Sequence, residues 1–165
     1  MPTLTQATLP DLPTLTSLSR RTFFETFAQQ NTAEDMALYL EKNMSEEALK
    51  KEMLDTHAAF YLLKENETAC GYFKIEFGAD PKRLEIERLY VDAAFQKKGY
   101  GKWMMDTIEK IAAEKNKSEI FLGVWRENHK AISFYQKCGF EIYDVHTFQL
   151  GNDLQYDWLM KKALV

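Results

Sequence analysis

Metal ligands and crosslinks are scarce in this chain. It has two cysteines, Cys70 and Cys138, and three histidines, His57, His129 and His146. The cysteines form one pair at most and lack metal-ligand spacing, so they read as reduced structural thiols of a cytoplasmic protein. The histidines are scattered, with no second ligand at helical spacing, and no metal is expected. No apolar run approaches the ~20 residues of a membrane span. The start, Met1-Pro2-Thr3-Leu4-Thr5-Gln6, lacks the basic and apolar regions of a signal peptide, so no membrane partner is expected either. A basic surplus is also missing: 21 Lys and Arg face 25 Asp and Glu, a net charge of −4. A nucleic-acid binder that works through phosphates needs the opposite balance, whereas cationic substrates fit this one. With 4 Pro and 7 Gly, the chain shows no linker, repeat or low-complexity tract.

Apolar content is ample. Hydrophobic residues make up 45% of the chain and include 11 Phe, 8 Tyr and 3 Trp, too many for a disordered polymer. The length of 165 residues suits one domain, 1–165, with a core that needs no staple. A strand is expected at 4–9. Asp11 caps a helix to about Ala28 whose Leu12, Leu15 and Leu18 share a face. Thr32 and Ser45 cap two more helices, 33–43 and 46–55. Strands follow at 58–63 and 69–77 around the turn Glu65-Asn66-Glu67, and another at 84–91. A helix at 99–116 carries Met104, Ile108, Ile111 and Ala112 on one side. Then come a strand at 120–124, a helix at 128–138, and strands at 140–150 and 155–160. The helix between the strands at 84–91 and 120–124 is a crossover, which makes that pair parallel. The fold class is therefore α/β (α+β): a mixed, mostly antiparallel central sheet of about seven strands, with helices on both faces and a parallel pair in its centre.

The sharpest local feature is Gln96-Lys97-Lys98-Gly99-Tyr100-Gly101-Lys102, between a strand and a helix. Two glycines permit close backbone approach, and the free N–H groups of a helix start carry the positive end of the dipole. With Lys97, Lys98 and Lys102 alongside, the turn is an anion site suited to a pyrophosphate. The bland alternative is a Gly-rich helix start with solvated lysines. The spacing is neither that of Walker A nor Gly-x-Gly-x-x-Gly, whose third glycine falls on Met104.

Gln96-x-x-Gly99-x-Gly101 followed by Asn128-x-x-Ala131-x-x-Phe134-Tyr135-x-x-x-Gly139-Phe140 resembles the GNAT superfamily of N-acetyltransferases. Phe24-Glu25-Thr26-Phe27, Leu84-Glu85-Ile86-Glu87-Arg88-Leu89-Tyr90, Leu122-Gly123-Val124-Trp125 and His146-Thr147-Phe148 are similar to PaiA-type spermidine/spermine acetyltransferases. The resemblance implies acetyl-CoA as co-substrate. Its pyrophosphate would rest on Gln96, Lys97, Lys98, Gly99, Tyr100, Gly101 and Lys102. Its pantetheine would lie between splayed central strands against Leu89, Tyr90 and Val91, near Asn128. Tyr135 would be the acid that protonates the departing thiolate, the alternative being a core aromatic beside Phe134. One of that adjacent pair should face the sheet and the other the cleft. The acceptor would meet Phe24, Glu25, Tyr39 and Trp125, beside Phe23 and the acids Glu34 and Asp35. Carboxylates with aromatic walls suit a polyamine.

An alkyl amine is mostly protonated at neutral pH and must lose a proton before it attacks. Alternation groups Glu87 with Leu89 and Val91, making it the candidate base. Its alternative is an ion pair with Arg88 or a lysine. Some relatives carry a base on the later strand, but that position is Gly123, which closes the route. Cys138 has no catalytic partner and reads as a buried thiol. Three functions stay open: transfer to a small polyamine, transfer to a protein N-terminus or lysine, and coenzyme A binding for regulation without turnover. The expected state is a monomer or homodimer.

Overall fold

The computed structural model describes residues 1–164. Seven strands form one sheet: β1 (Pro2–Gln6), β2 (Ala58–Glu65), β3 (Thr68–Glu76), β4 (Arg83–Val91), β5 (Glu119–Trp125), β6 (Glu141–Leu150) and β7 (Asp153–Ala163). Their order is β1-β2-β3-β4-β5-β7-β6. Among the described residues only β4 and β5 run parallel; every other pairing is antiparallel. Helices α1 (Leu12–Phe27), α2 (Ala33–Asn43) and α3 (Glu46–Met53) precede β2; α4 (Tyr100–Glu114) joins β4 to β5, and α5 (His129–Lys137) follows β5. This is the expected class, with the parallel pair in the centre of the sheet.

Two apolar layers sandwich the sheet. On one face, Met104, Met105, Ile108 and Ala112 of α4 and Tyr135 of α5 pack on Phe73, Ile75, Leu84, Ile86, Ile120 and Leu122. On the other, Leu15, Leu18, Phe23 and Phe27 of α1 pack on Phe60, Leu62 and Tyr72 with Met36 and Leu49. Thr32, Ser45 and Asn128 cap their helices as their residue types dictate, each oxygen accepting a backbone N–H three residues on. Asp11 does not: its carboxylate turns back to accept the Thr8 N–H at 2.9 Å. The first strand is also earlier than 4–9, because Leu9–Asp11 winds into a single 3-10 turn around Pro10.

The helical layer on the α1 side is tied down by charge. Arg88 of β4 donates to both carboxylate oxygens of Glu52 on α3, at 2.7 and 2.8 Å. Lys74 of β3 reaches the same carboxylate at 3.2 Å. Burial alone would raise the Glu52 carboxyl, but the Arg88 hydrogen bonds and charge win and hold it below its ordinary value. Glu52→Ala strands the desolvated Arg88, while Lys74 keeps Glu87, and is expected to cost about 3 kcal/mol in urea unfolding at pH 7. Because the folded carboxyl is depressed, this stabilisation is present above about pH 4.5 and lost as acid protonates it. The gap between parent and variant should therefore close on acidification.

Candidate active site

β4 and β5 pair only from Arg83↔Glu119 to Ile86↔Leu122. Beyond that point β5 stays on β7 through Gly123↔Leu159 and Trp125↔Asp157, while β4 stays on β3 through Leu89, Tyr90 and Val91. The two strands therefore part. A cavity of about 760 Å³ fills the wedge, running from the start of α4 to the aromatic end of α1.

At one end is the glycine turn. Gly99 has φ of +81°, and a Cβ there would meet nothing within 4 Å, so its backbone faces open space. Unlike α2, α3 and α5, α4 has no side-chain cap at its start. Its first N–H groups are left for something outside the helix. Gln96 donates to the Val91 carbonyl at 3.1 Å and accepts from Lys130 of α5, fixing the loop across the wedge. Gln96, Lys97, Gly99, Tyr100, Gly101 and Lys102 border the cavity with Lys130. Lys98 does not: it pairs with Glu65 at 3.2 Å, over the Phe95 ring. The Tyr100 hydroxyl also goes to Glu65, which leaves its backbone as the part offered to the turn.

Along the walls stand Leu89, Tyr90, Val91 and Asn128. Tyr135 is 7% exposed and borders the cavity; burial pushes its hydroxyl well above the usual tyrosine range, so it stays protonated. No protein group among the described residues hydrogen-bonds that hydroxyl. The expected division between Phe134 and Tyr135 is absent. Both rings line the cavity, edge to face with centroids 5.4 Å apart, because Phe134 also closes over Gly101.

At the far end Phe23 stacks on Phe27 and Tyr39, with centroids 4.3 and 4.4 Å apart, and Phe27 meets Trp125 at 4.7 Å. Tyr39, Trp125 and Glu25 line the cavity. Phe24 does not, being 52% exposed on the outer side of α1. Neither do Glu34 and Asp35; the Asp35 carboxylate accepts the Asn152 N–H at 2.7 Å instead. Glu87 borders the cavity but not in the way alternation implies. The β3–β4 register slips between Lys74 and Ile75, leaving Glu87 as the extra residue of a bulge. Its carboxylate thus meets Lys74 at 2.5 Å, on the Arg88 side of the strand rather than with Leu89 and Val91.

Sequence reasoning missed Asp157 of β7. It lines the cavity opposite Trp125. A Cβ on Gly123 would lie 3.3 Å from its Oδ2, and its Oδ1 is buried without a hydrogen-bond partner among the described residues. Burial, only partly offset by His146, raises its pKa to about 6.

Residues 13–140 match the model of the acetyltransferase (GNAT) family. The chain is 40% identical to an uncharacterized N-acetyltransferase of Lactobacillus delbrueckii subsp. lactis, over 98% of this chain and 97% of that one. It is 28% identical to a spermidine N(1)-acetyltransferase of Thermoplasma acidophilum, over 82% and 86% of the two chains. The fold superposes on a crystal structure of the PaiA N-acetyltransferase of Thermoplasma acidophilum in complex with coenzyme A. The TM-score is 0.86 at 24% identity, covering 99% of each chain.

Proposed function

The chain belongs to the acetyltransferase (GNAT) family, and we propose that it moves an acetyl group from acetyl-CoA to a primary amine of a small polyamine such as spermidine. The carrying observation is that one cavity joins an uncapped, glycine-opened helix start to an end walled by aromatics and carboxylates. The glycine turn fits a pyrophosphate: its backbone is open, its helix dipole is unspent, and Lys97, Lys102 and Lys130 surround it. Bound there, acetyl-CoA supplies an acyl thioester as acetyl donor. Leu89, Tyr90, Val91 and Asn128 would flank its arm in the wedge, where β4 and β5 leave backbone edges unpaired.

Tyr135 holds a proton on Oη at the cavity wall and delivers it to the leaving group. Glu25 and Asp157 give the acceptor end negative charge, Glu87 being paired with Lys74, and Phe23, Tyr39 and Trp125 give it faces for cation–π contact. A polyamine engages more than one of these at once, which a monoamine cannot do. Polyamine acetylation is also what two relatives, including the 28%-identical one, are named for.

Thiol release with a panel of amines tests this. Spermidine should exceed butylamine in kcat/KM by at least about tenfold, the worth of one ~1.4 kcal/mol contact. The gap should narrow as salt screens the contacts. Equal rates would remove the polyamine and keep the acetyltransferase. A clear preference for peptides with a free N-terminus or lysine would move the acceptor to protein. Tight coenzyme A binding without thiol release from any amine would make the chain a binding protein.

A further inference from the structure

The proposed transfer leaves one proton without a destination in the protein. An alkylammonium has a pKa near 10.4, so at neutral pH the attacking nitrogen must be unmasked within the site. Glu87 is poorly placed to do it, since its carboxylate is spoken for by Lys74 at 2.5 Å. Taking up a proton there would break an ion pair.

Asp157 is differently situated. β7 carries it beside the point where β5 leaves β4, and its cross-strand neighbour on β5 is Trp125 of the aromatic wall. The next inward position on that face of β5 is Gly123, and the missing side chain is what lets the carboxylate reach over the strand. Its Oδ2 sits 3.3 Å from where a Cβ would stand. Oδ1 is buried and accepts nothing from the described residues. A carboxylate with one oxygen buried and unpartnered is costly to keep charged, and its other oxygen, Oδ2, is the one left open to a donor that arrives from the cavity. Resting on the acetyltransferase reading, we propose that Asp157 is the catalytic base that takes the proton from the acceptor ammonium, occupying from β7 the space that Gly123 vacates on β5.

The reaction balances with this group. The ammonium passes one proton to the Asp157 carboxylate, which later releases it to solvent. The freed nitrogen lone pair forms the C–N bond as the C–S bond breaks, and the bonding pair stays on sulfur. The second nitrogen proton replaces the one that Tyr135 gives to sulfur. Desolvation raises Asp157 to about pH 6, closer to the working pH than an ordinary Asp, which improves it as a base. Burial and His146 set this value, and the titratable and charged groups around Asp157 stand on several elements. His146 lies opposite on β6 and Tyr39 on α2. Glu87 and Arg88 of β4, Glu25 of α1 and Tyr135 of α5 line the same cavity.

The test is the pH profile of kcat/KM for the best amine, with coenzyme A affinity measured beside it by calorimetry. The parent should show an acidic limb with a midpoint near pH 6, below which the protonated carboxyl cannot act. Asp157→Asn should lose that limb and fall about 10²-fold at pH 7, while binding coenzyme A as the parent does. His146→Asn should keep the limb and move it upward, because the interaction with His146 that lowers Asp157 is gone. A limb that survives in Asp157→Asn, or that vanishes in His146→Asn, overturns the proposal and spares the acetyltransferase. If Asp157→Asn does not fold, the parent profile decides: activity that follows amine ionisation alone down to pH 5 overturns the base. Failure of the parent to release thiol at any pH would instead remove the functional reading on which the proposal rests.

Discussion

Gly101→Val is expected to weaken coenzyme A binding at least ~10²-fold, or about 2.7 kcal/mol, by calorimetry. A Cβ at this position would already lie 3.3 Å from two carbons of the Phe134 ring. That is tighter than ordinary contact, and valine adds two methyl groups to it. The ring cannot simply retreat, because Phe134 is packed edge to face on Tyr135 in the core. The helix start must move or the methyls must stand over the open N–H groups, and either removes the anion cradle. Gly99 acts for another reason. Nothing crowds it, but its φ of +81° is a left-handed conformation that costs an L side chain roughly 1–2 kcal/mol. Gly99→Ala should therefore give a smaller loss than Gly101→Val. Far-ultraviolet circular dichroism of both variants should match the parent. Parental affinity in a folded Gly101→Val would mean that the pyrophosphate lies elsewhere.

What the sequence made legible was what short-range chemistry decides. Thr32, Ser45 and Asn128 each sit three residues before the N–H they cap, so a local rule finds them. The parallel pair followed from a helix between two strands. Phe24 was also legible in principle. It lies nine positions after buried Leu15, about two and a half turns, and so on the opposite side of α1. Assigning it to the acceptor wall let aromatic content override phase. Glu87 was not legible, because alternation assumes an unbroken pleat and the β3–β4 bulge at that residue depends on pairing across strands. Lys98 was lost in the same way to Glu65, a partner 33 positions away. Asp157 shows the limit most sharply. An acid in the last strand has no local mark of function. Only the pairing of β7 with β5 sets it over Gly123, the position whose missing side chain makes room for it.

Tyr135→Phe should lower kcat by 10² or more, within the range of about 10²–10⁴ for one acid–base group, and leave coenzyme A affinity near the parental value. The ring is what packs against Phe134 and Phe140, with centroids 5.4 and 5.8 Å away, and phenylalanine keeps it. The hydroxyl contributes nothing to that packing and has no protein partner among the described residues, so removing it breaks no contact that holds the fold. The variant should unfold at an equal or higher temperature than the parent, a separation of activity from stability that a structural tyrosine would not give. Burial raises the Tyr135 pKa above its ordinary value of 10.0, so the hydroxyl remains protonated through neutral and mildly alkaline pH. The defect should accordingly be the same at pH 6, 7.5 and 9, in contrast to a base whose role fades as the amine deprotonates. Single-turnover rates should be used, since slow product release would mask a chemical step. A single-turnover rate in Tyr135→Phe equal to that of the parent would show that the leaving group takes its proton from solvent through the open wedge between β4 and β5, and Tyr135 would then be a wall of the cavity and no more.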